Sequence, residues 1–185
     1  MTELMTPTLA LLPDYVDALR RDWTPDHLLG RVATDEQLAA IERDAAGFVE
    51  RQTNLEALGD PVTLPDGSQV VRIPGRQFWI WDDGFCGRLG IRWQPGTAAL
   101  PPHVLGHVGY SVVPWKRAQG HATLAVRQVL PYARAQGLPY VEITTDPDNI
   151  ASQKVITANG GVLIEAFTKP AAYGNAPGLR YRITL

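Results

Sequence analysis

Residues 112–123 combine a strand end, a basic pair and a glycine in an order suited to binding a phosphate group. The segment reads VVPWKRAQGHAT, in which Pro114 ends an apolar strand and the Lys116–Arg117 pair precedes Gly120. A helix beginning at Gly120 would offer unpaired amides at the positive end of its dipole. The segment therefore indicates a pyrophosphate site. An ordinary strand-to-helix turn with two solvated cations fits the same residues, and the segment matches neither the Walker pattern nor Gly-x-Gly-x-x-Gly.

Three short segments share features with one known family. Arg117–Ala122 reads RAQGHA, Asn149–Ser152 reads NIAS ahead of a glycine pair, and Gly106–Val113 reads GHVGYSVV. They resemble, in turn, the Arg/Gln-x-x-Gly-x-Gly/Ala signature, the Asn-x-x-Ser helix and the central fourth strand of the GCN5-related N-acetyltransferase (GNAT) superfamily. The clear resemblance covers about residues 76–167. It implies an enzyme that transfers an acetyl group from acetyl-CoA to a primary amine, without a metal.

The resemblance implies that acetyl-CoA lies between two parallel strands that splay apart. The backbone of Tyr110–Val113 would pair with the pantetheine arm as an added strand would. The amides at the start of the helix would bind the pyrophosphate, with Arg117 nearby, and the His121 side chain would touch phosphate or face water. The cofactor-binding residues implied in this region are Ser111, Val112, Val113, Arg117, Ala118, Gln119, Gly120, His121, Ala122 and Thr123.

The second signature implies contacts from the following helix. Asn149 would hydrogen-bond the pantetheine, while Ser152 and Lys154 would touch the cofactor. Helix capping is the alternative role for Asn149, and one side chain can serve both purposes. Residues 106–185 carry 8 Lys and Arg against 4 Asp and Glu, whereas residues 1–105 carry 9 against 15. The positive charge thus lies in the half of the chain that would hold the polyanionic cofactor.

The implied chemistry is direct attack of an amine on the thioester, which calls for a base, an oxyanion donor and a group that assists the leaving thiolate. A backbone amide near Val112 would be the oxyanion donor. Glu142 would act as the base, directly or through water, and Tyr110 or Ser152 as the acid. A solvated strand residue is the alternative interpretation of Glu142.

One position departs from the family pattern. Many members carry Tyr seven positions after the helix Asn as the acid, whereas this chain has Ile156. Either the thiolate leaves unassisted or another group serves. The departure motivates a rival hypothesis, a non-catalytic acyl-CoA-binding or regulatory module, and an enzyme with a different acyl donor is a further alternative.

Hydrophobic periodicity predicts the elements that position these residues. Thr34 and Gln37 form a capping box ahead of a helix whose apolar face comprises Leu38, Ile41, Ala45, Phe48 and Leu55. Other helices are predicted at residues 14–23, 120–136 and 149–158, and strands at 70–73, 78–81, 85–93, 104–113, 139–145, 162–167 and 179–185. Asp83 and Gly84 supply the tight turn of a hairpin.

The expected fold is α/β (α+β), the acyl-CoA N-acyltransferase fold. A mixed, mostly antiparallel central sheet of six or seven strands would contain a parallel splayed pair and be flanked by about four helices. The chain of 185 residues is expected to form a single domain, residues 1–185. Its N-terminal helices would occupy residues 13–58, and residues 69–185 would form the sheet and the cofactor-binding core.

Several other residues were candidates for chemistry. His103 and His107 lie four apart, but in a Pro-rich loop and a strand, so a structural role is favoured over metal binding, with His107 able to line an acceptor cleft. Trp79 and Trp81 share a strand face with core or interface character, and an aromatic wall for the acceptor is the alternative. Cys86 is predicted to be inert.

Composition limits the partners. The net charge is −2 and no basic cluster exceeds two residues, which disfavours nucleic-acid binding. No stretch resembles a membrane anchor or a signal peptide, so a cytoplasmic protein is expected. The acceptor would be a small-molecule amine or a peptide amine, and exposed aromatic surface would permit a homodimer.

Overall fold

The computed structural model describes all 185 residues. The helices are α1 (Leu12–Arg20), α2 (Arg31–Arg43), α3 (Ala45–Glu50), α4 (His121–Ala135) and α5 (Ile150–Thr157). The strands are β1 (Glu3–Met5), β2 (Thr53–Asn54), β3 (Val62–Thr63), β4 (Gln69–Val70), β5 (Gly75–Trp81), β6 (Phe85–Arg92), β7 (Val108–Val112), β8 (Tyr140–Thr145), β9 (Val162–Thr168) and β10 (Pro177–Thr184). None of the helices is both long and apolar enough to cross a membrane.

The strands form two main sheets, which meet where β7 approaches β8, and a separate two-stranded sheet of β3 and β4. The larger has the order β1-β5-β6-β7, with β2 also paired to β5, and the smaller has the order β8-β10-β9. All pairings within both sheets are antiparallel, as expected for the later strands. The expected parallel pair does not form a ladder. β7 and β8 are joined by a single backbone hydrogen bond, from the His107 N–H to the Glu142 carbonyl at 2.7 Å.

α4 and α5 cover one face of the sheets because their apolar sides pack on alternate strand residues. Seventeen buried residues form this core, among them Leu89 of β6, Val126 of α4, Ile143 of β8 and Ile156 of α5. The opposite face is covered by α1 and α3. These elements fix which strand residues face α5 and which face α1, and this decides where each candidate site residue points.

An aromatic cluster fills the core under α1. Tyr15 stacks on Trp79 with ring centroids 4.8 Å apart, and Trp23 meets Tyr15 edge to face at 5.6 Å. Trp79 is fully buried, and Trp81 packs against the same cluster. Such aromatic pairs contribute about 0.5–1.5 kcal/mol each beyond the area they bury. Trp79 is therefore a core residue and does not form a wall for the acceptor.

The predicted capping box is wrong. Thr34 lies inside α2, is buried, and donates its hydroxyl to the Trp23 carbonyl at 3.3 Å. Gln37 accepts a hydrogen bond from the Tyr15 hydroxyl. Both side chains thus have tertiary partners that their spacing does not reveal. The helix also stops early, because Asp44 caps α3 by accepting the Gly47 amide at 2.9 Å.

Other local predictions are confirmed. Pro13 lies in the first turn of α1. The β5–β6 hairpin turns through Asp83 and Gly84, with φ of 47° and 95°. α4 ends just before Gly137, which has a φ of 81°, a backbone conformation that glycine adopts without strain.

Candidate active site

His107 lies at the point where β7 and β8 separate. Its backbone N–H donates to the Glu142 carbonyl, and its ring Nδ1 accepts the Glu142 amide at 3.0 Å. An amide can only donate, so Nδ1 is unprotonated and the ring is neutral with its proton on Nε2. Burial lowers the pKa of His107, which favours the same neutral form. Gly106 makes the approach possible, since a Cβ there would lie 2.9 Å from the Glu142 carbonyl oxygen.

Beyond His107, β7 presents free backbone groups to the gap. The Val113 N–H donates to the Cys86 carbonyl at 2.9 Å, so this residue and its odd-numbered neighbours bond to β6. Alternation along the ladder turns the amides and carbonyls of Tyr110 and Val112 the other way, toward β8. Arg117 Nε donates to the Val112 carbonyl at 3.1 Å. The gap between β7 and β8 is thus a groove edged by backbone groups that pair with no strand, and Arg117 covers one of them, the Val112 carbonyl.

The predicted backbone contacts of Ser111 and Val113 do not face this groove. The Ser111 amide and carbonyl and the Val113 amide are directed to β6, while the Val113 carbonyl accepts the Lys116 backbone N–H at 3.0 Å. The Val113 side chain is fully buried in the aromatic core. The Ser111 hydroxyl accepts the Trp23 indole N–H at 3.0 Å, a contact from beyond α1 for which the sequence carries no signal.

The loop before α4 carries a row of free amides. None of the backbone N–H groups of residues 118–123 has an acceptor in the chain; these are Ala118, Gln119, Gly120, His121, Ala122 and Thr123. Gly120 adopts a left-handed φ of 85°, and nothing lies within 4 Å of the position a Cβ would take. The exposed Arg117 adds a full positive charge beside these amides. Donors, dipole and open space together suit a pyrophosphate.

Two side chains of this loop have other partners. The Lys116 ammonium donates to the Asp82 and Asp83 carbonyls, each at 2.8 Å, and so holds the β5–β6 turn. Its charge is therefore engaged at that turn, and Arg117 is the cation left beside the loop amides. The His121 ring is buried and its Nδ1 lies 2.9 Å from the Thr2 hydroxyl. It neither faces water nor points at the loop, and only its amide is available to an anion.

α5 begins at a capped end. Asn149 Oδ1 accepts the Ser152 amide at 3.0 Å, which is the capping role. Its exposed Nδ2 donates to no protein group, so the side chain retains a free donor. Lys154 is exposed. Ile156, which occupies the position of the missing tyrosine, is fully buried in the core and offers no polar atom to the groove.

A pair of hydroxyls links β7 to the first turn of α5. The Tyr110 and Ser152 hydroxyl oxygens lie 2.9 Å apart, and the phenol also approaches the Ser152 carbonyl at 3.3 Å. Burial raises the pKa of Tyr110 to about 12. The phenol consequently stays protonated over the whole physiological range and can always donate a hydrogen bond.

Glu142 lies on the opposite side of the sheet from that pair. Its neighbours Val141 and Ile143 belong to the core under α4 and α5, so its carboxylate projects toward the α1 side. Oε1 accepts from Arg182 Nη2 at 2.6 Å, and Oε2 lies 3.8 Å from Arg180 Nη1. Glu142 is buried and ion-paired, which contradicts its interpretation as a solvated strand residue.

The remaining candidates have structural surroundings. No group of three or more His, Cys, Asp or Glu side chains is placed to hold a metal. The His103 carbonyl accepts the Tyr173 hydroxyl at 2.8 Å, and His107 Nδ1 is used as described above. Cys86 is buried, and burial raises the pKa of its thiol.

Comparison with known proteins agrees with this geometry. A family model described as acetyltransferase (GNAT) domain matches residues 21–162. No curated protein sequence matches the chain significantly. Among solved structures, the microcin C7 self-immunity acetyltransferase MccE, determined with acetyl-CoA and AMP, aligns over 100% of this chain and 92% of its own, with a TM-score of 0.63 and 11% identity.

Two further structures are similar. RimL, a ribosomal L7/L12 α-N-protein acetyltransferase in complex with coenzyme A, has a TM-score of 0.63 and 14% identity over 100% of this chain and 94% of its own. The acetyltransferase from Salmonella typhimurium that modifies the N-terminal serine of L7/L12 has a TM-score of 0.62 and 15% identity over 100% and 95%. The structural likeness concerns the fold, and the family model covers most of the chain; the protein belongs to the GNAT family of acetyltransferases.

Proposed function

We propose that the protein transfers the acetyl group of acetyl-CoA to a primary amine that attacks the thioester directly. The observation that carries the proposal is a row of unsatisfied backbone donors in two stretches, separated by residues 113–117, where the Val113, Lys116 and Arg117 amides are bonded within the chain. The row runs from Tyr110 and Val112 at the groove to the amides of residues 118–123. An extended thioester arm followed by a pyrophosphate would pair with it along its length.

Each part of that row has a distinct task. The Tyr110 and Val112 backbone would hold the pantetheine arm in register, and the Val112 amide would stabilise negative charge on the reacting carbonyl oxygen. The loop amides and Arg117 would hold the phosphates. Asn149 would donate its free Nδ2 hydrogen to the arm while its Oδ1 caps α5. Ser152 and Lys154 would contact the cofactor from the same helix. When bound, acetyl-CoA supplies the activated acetyl group.

The hydroxyl pair would act on the departing sulfur by hydrogen bonding. A thiol has a reference pKa of about 8.5, so a phenol with a pKa of about 12 does not give up its proton to a thiolate. Tyr110, steadied by Ser152, would instead donate a hydrogen bond that stabilises the negative charge. This pair would replace the tyrosine whose position is taken by Ile156, which supports catalysis over a purely binding role.

The amine would approach from the α1 side of the sheet. Glu142 projects to that side from β8, which borders the groove, and would receive the amine proton through water. Its two arginine partners occupy much of its hydrogen-bonding capacity, so a direct contact with the amine would require an exchange of partners. The acceptor itself would be a small amine or the amino group of a peptide.

Calorimetry with acetyl-CoA, together with a thiol-release assay over a panel of amines, tests the proposal. Binding accompanied by amine-dependent release of CoA is the expected result. Tight binding without release over a panel of small amines, amino acids and peptides would favour a binding module. A lack of acetyl-CoA binding would overturn the proposal altogether.

A further inference from the structure

Arg88 of β6 is half-buried, and its guanidinium makes no hydrogen bond and no ion pair within the chain. Removing a guanidinium from water costs free energy unless a partner offsets the loss. Two arginines of β10 on this side of the sheet have such partners: Arg182 binds Glu142, and Arg180 lies between Glu142 and Glu165. Arg88 is thus a half-buried cation for which the chain supplies no ion-pair partner.

Arg88 lies on the face from which the acceptor would approach. Its cross-strand partners are Trp79 on β5 and Ser111 on β7, and cross-strand partners project to the same face. Trp79 packs under Tyr15 of α1, and the Ser111 hydroxyl binds Trp23 just after that helix. The guanidinium is therefore placed between the sheet and α1, one strand from the groove.

Two residues further along, β6 and β7 carry no side chains on this face. Gly90 pairs directly with Gly109, the neighbour of Tyr110. The Arg92 guanidinium extends over this glycine pair, with Nη2 3.3 Å from the position of a Cβ on Gly109. The Arg92 side chain makes one hydrogen bond, from Nε to the Gly106 carbonyl at 2.8 Å, and no ion pair. Arg88 and Arg92 thus flank the glycine pair with positive charge that is not engaged in an ion pair.

Gln77 completes this surface. Its side-chain amide covers Gly90, where a Cβ would lie 2.6 Å from Nε2, and its Oε1 is buried without a donor. This surface therefore combines one unsatisfied acceptor with two cations, neither of which forms an ion pair with a carboxylate. A molecule that carries both an N–H group and a negative charge matches this set, whereas a simple alkylamine would leave Arg88 unpaired.

We infer that Arg88, with Arg92 beside it, binds a carboxylate carried by the acceptor, so that the protein acetylates amines that bear a nearby negative charge. The inference rests on the proposed acetyl transfer and adds the class of acceptor. Guanidinium and carboxylate pair through two parallel hydrogen bonds, which would orient the acceptor as well as bind it. The carboxylate has two sources, the α-carboxylate of a free amino acid and an acidic side chain of a peptide.

Matched acceptors test the inference. Amino acids are compared with their α-amides, and tetrapeptide amides with Asp as the second residue are compared with the same peptides carrying Asn. In one of the two sets, kcat/KM is expected to be higher for the carboxylate acceptor than for its neutral counterpart. That set shows whether the carboxylate is the α-carboxylate of an amino acid or an acidic side chain of a peptide. Because a hydrogen bond to a charged group is involved, Arg88→Gln should lower kcat/KM for that carboxylate form by about 10- to 100-fold. Its kcat/KM for the neutral form should remain unchanged.

Two variants serve as controls. Arg88→Lys keeps the charge and should retain part of the preference, while Arg134→Gln removes an exposed arginine of α4 and should change nothing. Thermal melting shows whether each variant is folded. Equal use of carboxylate and neutral acceptors by the wild type, or an equal loss for both in Arg88→Gln, overturns the inference and leaves acetyl transfer intact. If no amine is acetylated and acetyl-CoA does not bind, the proposed function fails as well.

Discussion

The His107 ring accepts the backbone amide of Glu142 at 3.0 Å, while the His107 N–H donates to the carbonyl of the same residue. A side-chain nitrogen thus takes the place of the backbone carbonyl that a parallel ladder would present. The pairing of β7 with β8 stops at this residue pair, and the backbone of Tyr110 and Val112 has no partner on β8. One imidazole therefore determines where the groove starts.

Replacing His107 should change the width of the groove unless the new side chain offers a hydrogen-bond acceptor at the position of Nδ1. His107→Ala leaves the buried Glu142 amide without an acceptor, which costs about 1–3 kcal/mol of stability. His107→Asn places Oδ1 near the position of Nδ1 and should restore most of the stability and the KM for acetyl-CoA. His107→Gln places its oxygen near Nε2 and should not. Melting temperatures and KM values measure this, and equal behaviour of the Asn and Gln variants would contradict it.

His107 should also make stability depend on pH. Burial lowers its pKa below the ordinary value of 6.5, so between the two pKa values the unfolded chain binds the proton and the folded chain does not. The contribution is complete above about pH 6.5 and is lost as the pH falls toward the lowered pKa. Urea unfolding at pH 7.5 and 5 should show a larger loss for the wild type than for His107→Asn. His27→Asn, which changes an exposed histidine, should behave like the wild type.

Gly120→Glu should abolish acetyl-CoA binding. The new carboxylate would enter the open space beside the free amides and repel phosphate. Gly137→Glu is a matched control at the other end of α4, because Gly137 has a similar φ of 81° and also has nothing near its Cβ position. Both variants carry the same backbone strain, so their melting temperatures should fall alike. Calorimetry decides the point: unchanged affinity in Gly120→Glu would remove the pyrophosphate from this loop.

Asn149 allows its two roles to be separated. Asn149→Asp keeps an oxygen that caps α5 and removes the Nδ2 donor, whereas Asn149→Ala removes both. We expect the Asp variant to keep its stability and to bind acetyl-CoA more weakly. The Ala variant should lose affinity and about 1 kcal/mol of stability. Normal affinity in Asn149→Asp would show that the residue is a cap and nothing more.

The Tyr110–Ser152 pair should contribute to turnover by hydrogen bonding alone. Tyr110→Phe removes one hydrogen bond to the negative charge on the departing sulfur, worth about 1.5–3 kcal/mol, so kcat should fall about 10- to 100-fold. Ser152→Ala should act through the same contact, and the double variant should lose less than the two single losses combined. Single-turnover rates measure these effects. A loss of about 10³–10⁴-fold in Tyr110→Phe would mean that the phenol transfers a proton.

The sequence predicted what depends on local patterns. The glycines at 84, 120 and 137, the Asn149 cap and the alternation of β7 each follow from a few neighbouring residues, and the structure contains them. The contacts it did not predict join distant parts of the chain. His121 meets Thr2, Lys116 meets the turn at Asp82, and Glu142 meets Arg182. Spacing contains no information about such partners.

Arg88 shows a second limit of sequence patterns. Arg88 and Arg92 lie four apart on a strand flanked by apolar residues, which reads as an ordinary exposed pair. Only the register that places Arg88 between Trp79 and Ser111, under α1, makes its lack of a partner visible. An unsatisfied charge is a property of the folded arrangement, and periodicity alone cannot reveal it.

The ammonium of Lys116 has a consequence for the entropy of ligand capture. It ties the segment ahead of α4 to the carbonyls of a neighbouring hairpin, and no nucleotide is needed to form those bonds. The donors at residues 118–123 are therefore aimed before a ligand arrives. Association then freezes few backbone torsions, and more of the interaction energy is available as affinity.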